Sequence, residues 1–394
     1  MNTKSLLQEA EKLKNCLIEI RRDFHRNPEL AMEEFRTRDK ILSYLQEMKI
    51  ETITGIARTG VVGIIRGRYS GKTVALRADM DALPMQDWKE VSYKSLVEGK
   101  MHACGHDAHM TILLGAAKIL KKMENQINGT IKLIFQPAEE TVGGAKYMID
   151  AGVMENPRVD AIFGLHVTTE IETGKIGIKY GHMKATSDTI KIRIFGESTH
   201  GAYPHEGVDP VVISGQIITG LQSIVSRNID PRHAAVVSIG TIHGGTRGNI
   251  VANKVEMLGT VRTLDPDIRK KVLARIVDIV ENSAKALGGR GEVILEEGYP
   301  ALINHNSFVD IVADSGQELL GQKNVIEMKT ASLGVEDFGF YLQEIPGAFY
   351  NLGCRNEKKD AIHPGHSNYF DIDEECLPIG VALQVKNALK VLED

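Results

Sequence analysis

The run Thr130-Ile131-Lys132-Leu133-Ile134-Phe135-Gln136-Pro137-Ala138-Glu139-Glu140 passes from a largely apolar strand into an acidic turn and then, through Gly143-Gly144-Ala145, into a helical stretch. A strand that ends in a chemistry-bearing loop and leads into a helix is the repeating unit of α/β sheets, whose sites lie beyond the carboxyl ends of the strands. Adjacent glutamates at such an end point in different directions, so one can hold a metal while its neighbour faces a substrate. A solvated surface pair is the alternative, but the apolar strand before them and the glycines after them argue against it.

Upstream, Met101-His102-Ala103-Cys104-Gly105-His106-Asp107-Ala108-His109 gathers a thiol, three imidazoles and a carboxylate ahead of an apolar, helix-like run over 110–120. Soft and borderline ligands at that density suit a transition metal. Residues 60–66 and 73–77 are β-rich runs on either side of a turn at Tyr69-Ser70-Gly71-Lys72 and read as a hairpin. The second run leads into Asp79-Met80-Asp81, two carboxylates that point the same way beyond a strand. Downstream, Ala161-Ile162-Phe163-Gly164-Leu165-His166-Val167 is an apolar strand carrying one histidine, a third candidate metal-binding segment. At the start of the chain, Leu6, Leu7, Leu13, Leu17 and Ile18 fall on one helical face and 31–48 repeats the pattern, with His25 between them as a residue that packs or caps a helix end.

From about Met183 the texture changes. Strand-like 186–195, an apolar helix over 210–225, strands at 234–242 and 254–262, a long helix over 265–287 with Asp265 as N-cap and Pro266 in its first turn, and a strand at 292–297 give the order βαββαβ. That is a ferredoxin-like split unit with an antiparallel sheet. The expected fold class is therefore α/β, with a catalytic α/β domain over 1–183 and 298–394 and an inserted α+β domain over 184–297. The returning part carries Glu336-Asp337-Phe338, the strand-like 349–353, His363-Pro364-Gly365-His366 and a last helix over 378–392.

Composition narrows the functional classes. A length of 394 residues suits two or three domains, and 42% apolar with 25% charged residues is ordinary globular material. The net charge of −5, from 47 basic and 52 acidic residues without a basic block, predicts no binding to nucleic acid or anionic membrane. Cys16, Cys104, Cys354 and Cys376 are far apart, which argues against a disulfide scaffold. The charged N-terminal run over 1–20 and the lack of a long apolar stretch predict a soluble cytoplasmic protein.

Taken together, Cys104-Gly105-His106-Asp107, Pro137-Ala138-Glu139-Glu140, Gly164-Leu165-His166, His200-Gly201-Ala202-Tyr203-Pro204-His205, Glu336-Asp337-Phe338 and His366 before Phe370 resemble the M20 metallopeptidase and amidohydrolase family in content and order. More narrowly they resemble its N-acyl-amino-acid amidohydrolase branch. The resemblance implies two divalent ions (Zn, Mn, Co or Ni) held by Cys104, His106, Glu140, His166 and His366, with the thiolate bridging where the wider family uses an aspartate. It places His366 rather than His363 as the last ligand, four residues before Phe370. It makes Glu139 the general base, sets Asp81 behind a ligand histidine, and gives His200 a role in the active site of a second subunit, hence a homodimer or higher homo-oligomer. Asn249 and Arg262 resemble positions near the polar end of the substrate. The implied activity is cleavage of N-acyl-L-amino acids, with a dipeptidase or carboxypeptidase as the rival. The division of labour is physically sound, since a divalent ion lowers the pKa of water toward ~7 and a neighbouring carboxylate handles its protons.

Overall fold

The computed structural model describes residues 3–393, so Met1, Asn2 and Asp394, the first two being part of the charged N-terminal run, lie outside the described residues. The chain divides into two compact units, one of Met1–Gly181, Ile303–Lys329 and Phe340–Asp394 and one of His182–Leu302 and Thr330–Gly339.

The N-terminal amphipathic run forms α1 (Thr3–Lys12) and α2 (Lys14–Arg26), interrupted at Leu13, and α3 (Phe35–Glu47) follows. Helix α3 begins later than its apolar pattern suggests. Leu30 is bridged to Ala82, and the carboxylate of Glu29 accepts from the N–H groups of Arg36 and Thr37 at 3.1 and 2.8 Å, capping the helix there. Next come β1 (Glu51–Ile56), β2 (Gly60–Arg66), β3 (Tyr69–Asp79), α4 (His106–Lys122), β4 (Asn128–Gln136), α5 (Gly144–Asp150), β5 (Ala161–Glu172), β6 (Ile176–Ile178) and β7 (Gly181–Lys184). The second unit contributes β8 (Asp188–Phe195), α6 (Pro210–Ser223), β9 (Ala235–Gly244), β10 (Lys254–Thr263), α7 (Pro266–Ala286) and β11 (Arg290–Glu297). The chain ends with β12 (Leu302–Asn304), α8 (Asn306–Leu320), β13 (Val325–Glu327), α9 (Gly339–Glu344), β14 (Gly347–Arg355) and α10 (Cys376–Glu393).

In the larger unit eight strands form one mixed sheet in the order β1-β2-β4-β3-β5-β14-β6-β13. The hairpin expected between β2 and β3 does not form. Strand β4 lies between them, antiparallel to β2 with Val62 opposite Ile134 and parallel to β3 with Leu76 opposite Leu133. Residues 131–136 of β4 are buried throughout, so the strand needs a neighbour on each edge and cover on each face. The connection from β2 to β3 instead crosses the start of β4: Gly67 N–H donates to Gly129 O at 2.8 Å, and a Cβ on Gly67 would stand 2.2 Å from the Ile127 oxygen. Helix α4 is buried on nearly every side, and α2, α8 and α10 belong to the same hydrophobic core. Each large apolar side chain there contributes about 1.5–3 kcal/mol by leaving water.

The smaller unit has the βαββαβ order and an antiparallel sheet in the order β11-β8-β10-β9. Ile190, Ile192 and Ile194 alternate onto its buried face against Ile213, Ile217 and Leu221 of α6 and Val272, Ile276 and Val280 of α7. Asp265 caps α7 by accepting from the N–H groups of Asp267 and Ile268, with Pro266 at the first helical position.

One charged cluster inside the larger unit fixes the start of α4. Arg21 of α2 is fully buried and donates to Asp107 at 2.9 Å and Asp371 at 2.8 Å. His25, which the sequence suggested as a helix-end residue, lies in the last turn of α2 with its Nδ1 2.6 Å from Asp107 and its Nε2 2.9 Å from Lys89 Nζ. Burial alone would raise the Asp107 carboxyl, but Arg21 and His25 hold it well below the usual carboxylate range. Removing the guanidinium strands a buried charge. Arg21→Leu should therefore lower unfolding stability by about 3–5 kcal/mol in urea titration; a loss under about 1 kcal/mol would show that the cluster does not anchor the helix.

Candidate metal centre

Register brings the candidate residues to one end of the large sheet. Asp79 stands opposite Gln136 across β3 and β4, and Arg77 opposite Gly164 across β3 and β5, so Asp79, the turn at 137–140 and His166 emerge together. Gly105, at φ +89, makes the left-handed step that starts α4 at His106, and a Cβ there would meet Val167 Cγ2 at 2.3 Å. His366 is also left-handed, at φ +63, and its N–H donates to Ala103 O at 2.8 Å, which ties its loop to the residue before Cys104.

Two groups of ligand atoms meet at the thiol. Cys104, His106 and His166 form one and Cys104, Glu140 and His366 the other, with the atoms of each group within 4.8 Å of one another. Within them Cys104 Sγ is 3.3 Å from His166 Nε2, and His366 Nε2 is 3.1 Å from Glu140 Oε1. Glu139, also buried, joins His106 and Glu140 in a further group of the same span. His363 lies in none of the groups found among the described residues; its ring faces Tyr369 at 5.5 Å and its Nε2 is 3.7 Å from Asp360.

The far sides of the His106 and His166 rings are held by carbonyls. His106 Nδ1 is 2.9 Å from Asp81 O, and His166 Nδ1 is 2.6 Å from Val167 O. Each Nε2 is thereby turned toward the centre, as in histidines that ligate metals. The Asp81 carboxylate accepts from the N–H of Glu139 and from the N–H of Glu140, both at 3.0 Å, and its Oδ1 is 3.3 Å from His106 Nδ1. Asp79, its partner in the sequence pair, bonds Arg77 Nη1 and His109 Nδ1, each at 2.6 Å. His109 then accepts the Val167 N–H at its Nε2, so both its nitrogens are engaged within the protein.

The electrostatics call for a cation. Burial alone would raise Asp79, yet His106, His109 and Arg77 hold it well below the usual carboxylate range, and His366 and His106 hold Glu140 down against its own burial. Burial pushes the Cys104 thiol up, and Glu140 adds to the rise; a divalent ion held here would favour its thiolate. Among the described residues His106 Nε2 is buried with no hydrogen-bond partner, 3.7 Å from Asp79 and 3.9 Å from Glu140. An orphaned imidazole nitrogen, a thiol and clustered carboxylates fit divalent ions, and the sharing of Cys104 by two ligand groups fits a pair of them.

His200, Asn249 and Arg262 belong to the smaller unit. His200 and Asn249 come together in a loop pair: His200 bridges Ile250, and Gly201 N–H donates to Asn249 O at 2.8 Å. His200 is exposed, and its Nδ1 accepts the Ala202 N–H at 3.0 Å, so the neutral ring carries its proton on Nε2. Arg262 lies on β10, half-buried, with Nη1 buried and, among the described residues, without a hydrogen-bond partner.

Several residues around the centre were not assigned from the sequence. Asp79 and His109 stood in the quoted runs without roles, and the i, i+2 spacing of Asp79 and Asp81 was the available signal. Glu34 and Lys89 carried no signal, because they act on segments far away in the chain. Glu34 bonds Ala138 N–H, and burial pushes its carboxyl up to about 7. His102 is buried with neither ring nitrogen bonded among the described residues, and burial pushes it down to about 3.

Comparison with known proteins agrees with this picture. The model of Peptidase family M20/M25/M40 matches residues 75–390. Thermostable carboxypeptidase 2 of Saccharolobus solfataricus is 42% identical over 389 residues, 98% of each chain. IAA-amino acid hydrolase ILR1-like 4 of Arabidopsis thaliana is 40% identical over 380 residues, covering 95% of this chain and 86% of that one. Among solved structures, the Bacillus subtilis YXEP protein, described as a dinuclear metal-binding peptidase of family M20, superposes with a TM-score of 0.85 at 34% identity over 97% of this chain and 99% of its own. With a family model spanning most of the sequence and relatives matching it nearly end to end, this chain belongs to peptidase family M20/M25/M40 and is a metal-dependent hydrolase.

Proposed function

We propose that the enzyme hydrolyses the amide bond of N-acyl-L-amino acids, with an acetyl, benzoyl or similar acyl group, as a cytoplasmic homodimer or higher homo-oligomer. The observation that carries the mechanism is the pair Glu139 and Glu140, whose N–H groups share the Asp81 carboxylate and which both stand near His106, while of the two only Glu140 also shares a ligand group with Cys104 and His366 among the described residues. Cys104, His106, Glu140, His166 and His366 would hold two divalent ions, Zn, Mn, Co or Ni. When bound, these ions supply Lewis acidity to the amide carbonyl and acidify water. Glu139 takes a proton from the water as its oxygen bonds to the carbonyl carbon, then gives that proton to the amine nitrogen as the C–N bond breaks. Asp81 positions His106 and both glutamates.

The residues of the smaller unit complete the reading, with that unit serving as the dimerisation and lid domain to the catalytic larger one. The exposed Nε2–H of His200 is a donor suited to the oxyanion of a second subunit's substrate. The unbonded Arg262 Nη1 suits the free α-carboxylate, with Asn249 near the same polar end. The four cysteines, free and unpaired with one another, suit a reducing compartment. A second reading, dipeptidase or carboxypeptidase, is favoured by the carboxypeptidase name of the relative at 42% identity.

Amine release from N-acetyl-, N-benzoyl- and N-indoleacetyl-amino acids, run beside unblocked dipeptides, separates the two. Each substrate is assayed after EDTA treatment and after metal add-back. Cleavage of blocked substrates that returns with metal is expected, and cleavage confined to dipeptides would replace the first reading with the second. Glu139→Ala should lower kcat by at least ~10³-fold with metal content unchanged, whereas Glu140→Ala should lose metal; the opposite pattern would reverse the two assignments. Mixed oligomers of Glu139→Ala and His200→Ala chains should regain activity that neither variant has alone, and no recovery would remove the role of His200 in a second subunit.

A further inference from the structure

Glu34 precedes the first residue of α3 but does not cap that helix, a task already done by Glu29. Its carboxylate turns away instead and, fully buried, accepts from Ala138 N–H at 3.0 Å and from Thr59 Oγ1–H at 2.6 Å. Ala138 is held in the left-handed region at φ +57, a conformation that L side chains rarely adopt. Its oxygen accepts from the N–H groups of Gly143 and Gly144 at 3.2 and 3.1 Å. Three successive amides, those of Ala138, Glu139 and Glu140, are thus each bound by a carboxylate oxygen, the first by Glu34 and the other two by Asp81.

A left-handed residue at this point sets the direction in which the chain leaves β4, and so the angle at which Glu139 and Glu140 diverge. Burying a carboxyl without a cation is costly, and among the described residues Glu34 forms no ion pair. The neighbouring charge is Asp81, which repels it. A residue serving stability alone is better apolar in such a place.

We infer that Glu34 is a positioning residue for catalysis: by holding Ala138 N–H it fixes the left-handed turn that separates the general base Glu139 from the ligand Glu140. This rests on the roles proposed above for the two glutamates. The carboxylate acts through the backbone, and Glu34 belongs to none of the ligand groups found among the described residues.

The test compares wild type, Glu34→Gln and Glu34→Met as metal-loaded enzymes on whichever amide substrate the wild type cleaves, reading kcat, KM and bound metal. Glutamine keeps an oxygen that can accept from Ala138 N–H, while methionine fills similar volume without an acceptor. Glu34→Met should lower kcat at least tenfold with KM and metal content within threefold of wild type, and Glu34→Gln should stay within threefold in all three. If Glu34→Met does not fold, Glu34→Asp, too short to reach Ala138, is read by the same criteria as Glu34→Met. A kcat for the acceptor-less variant within threefold of wild type overturns the inference, as does a glutamine variant as slow as that one, or loss of metal in step with loss of turnover. Glu139→Ala, run alongside, keeps the two claims apart. If it retains turnover, the proposed mechanism fails; if it is inactive while Glu34→Met is not, only the positioning role fails.

Discussion

The carboxylate of Asp81 is the point on which the centre depends. Two consecutive backbone N–H groups converge on it, while the carbonyl of the same residue meets His106 Nδ1. One residue just beyond β3 therefore sets the turn after β4 and the orientation of the first histidine of α4. Charge-assisted bonds to backbone donors are stronger than neutral ones, and their buried setting keeps them unscreened. The position of Asp81 depends in turn on the parallel pairing of β3 with β4, which sets Asp79 level with Gln136.

Around this point the larger unit keeps two charged regions apart by function. At the sheet end, acids, imidazoles and a thiol gather in overlapping ligand groups, a set that suits divalent ions. Near the first turn of α4, Arg21, His25 and Lys89 meet Asp107, Asp87 and Asp371 in a buried set that supplies its own cations. His106 and Asp107 are neighbours in the chain yet face these different surroundings, since successive helical residues point about 100° apart. The second region anchors the helix; the first holds the chemistry.

Much of this was legible in the sequence because the informative residues lie close together in the chain. Cys104-Gly105-His106 and Glu139-Glu140 are local signals, and the alternation of Ile190, Ile192 and Ile194 marks the smaller sheet without help from elsewhere. What escaped was long-range. The order β2-β4-β3 cannot be read from β2 and β3, whose spacing suits a hairpin, because the strand that separates them arrives some 60 residues later. Strand β1, exposed along most of its length, lacks a clear apolar face. Glu34 looks like an ordinary residue ahead of a helix, and only the fold shows that Glu29 has taken over the capping and left Glu34 to reach Ala138.

The position of β14 has a consequence for the chain as it leaves the ribosome. Strands β5 and β6 are nearly adjacent in sequence, but β14 is inserted between them, parallel to β5 and antiparallel to β6. Until residues 347–355 have been synthesised, two strand edges that end up paired in the sheet have unfilled backbone donors and acceptors, and α4 lacks its cover from α10. The smaller unit has all of its chain by then, since its last segment ends at Gly339. The unit that begins first is thus completed last, and the nascent chain passes through a stage in which the smaller unit's chain is complete while the larger sheet is still open between β5 and β6.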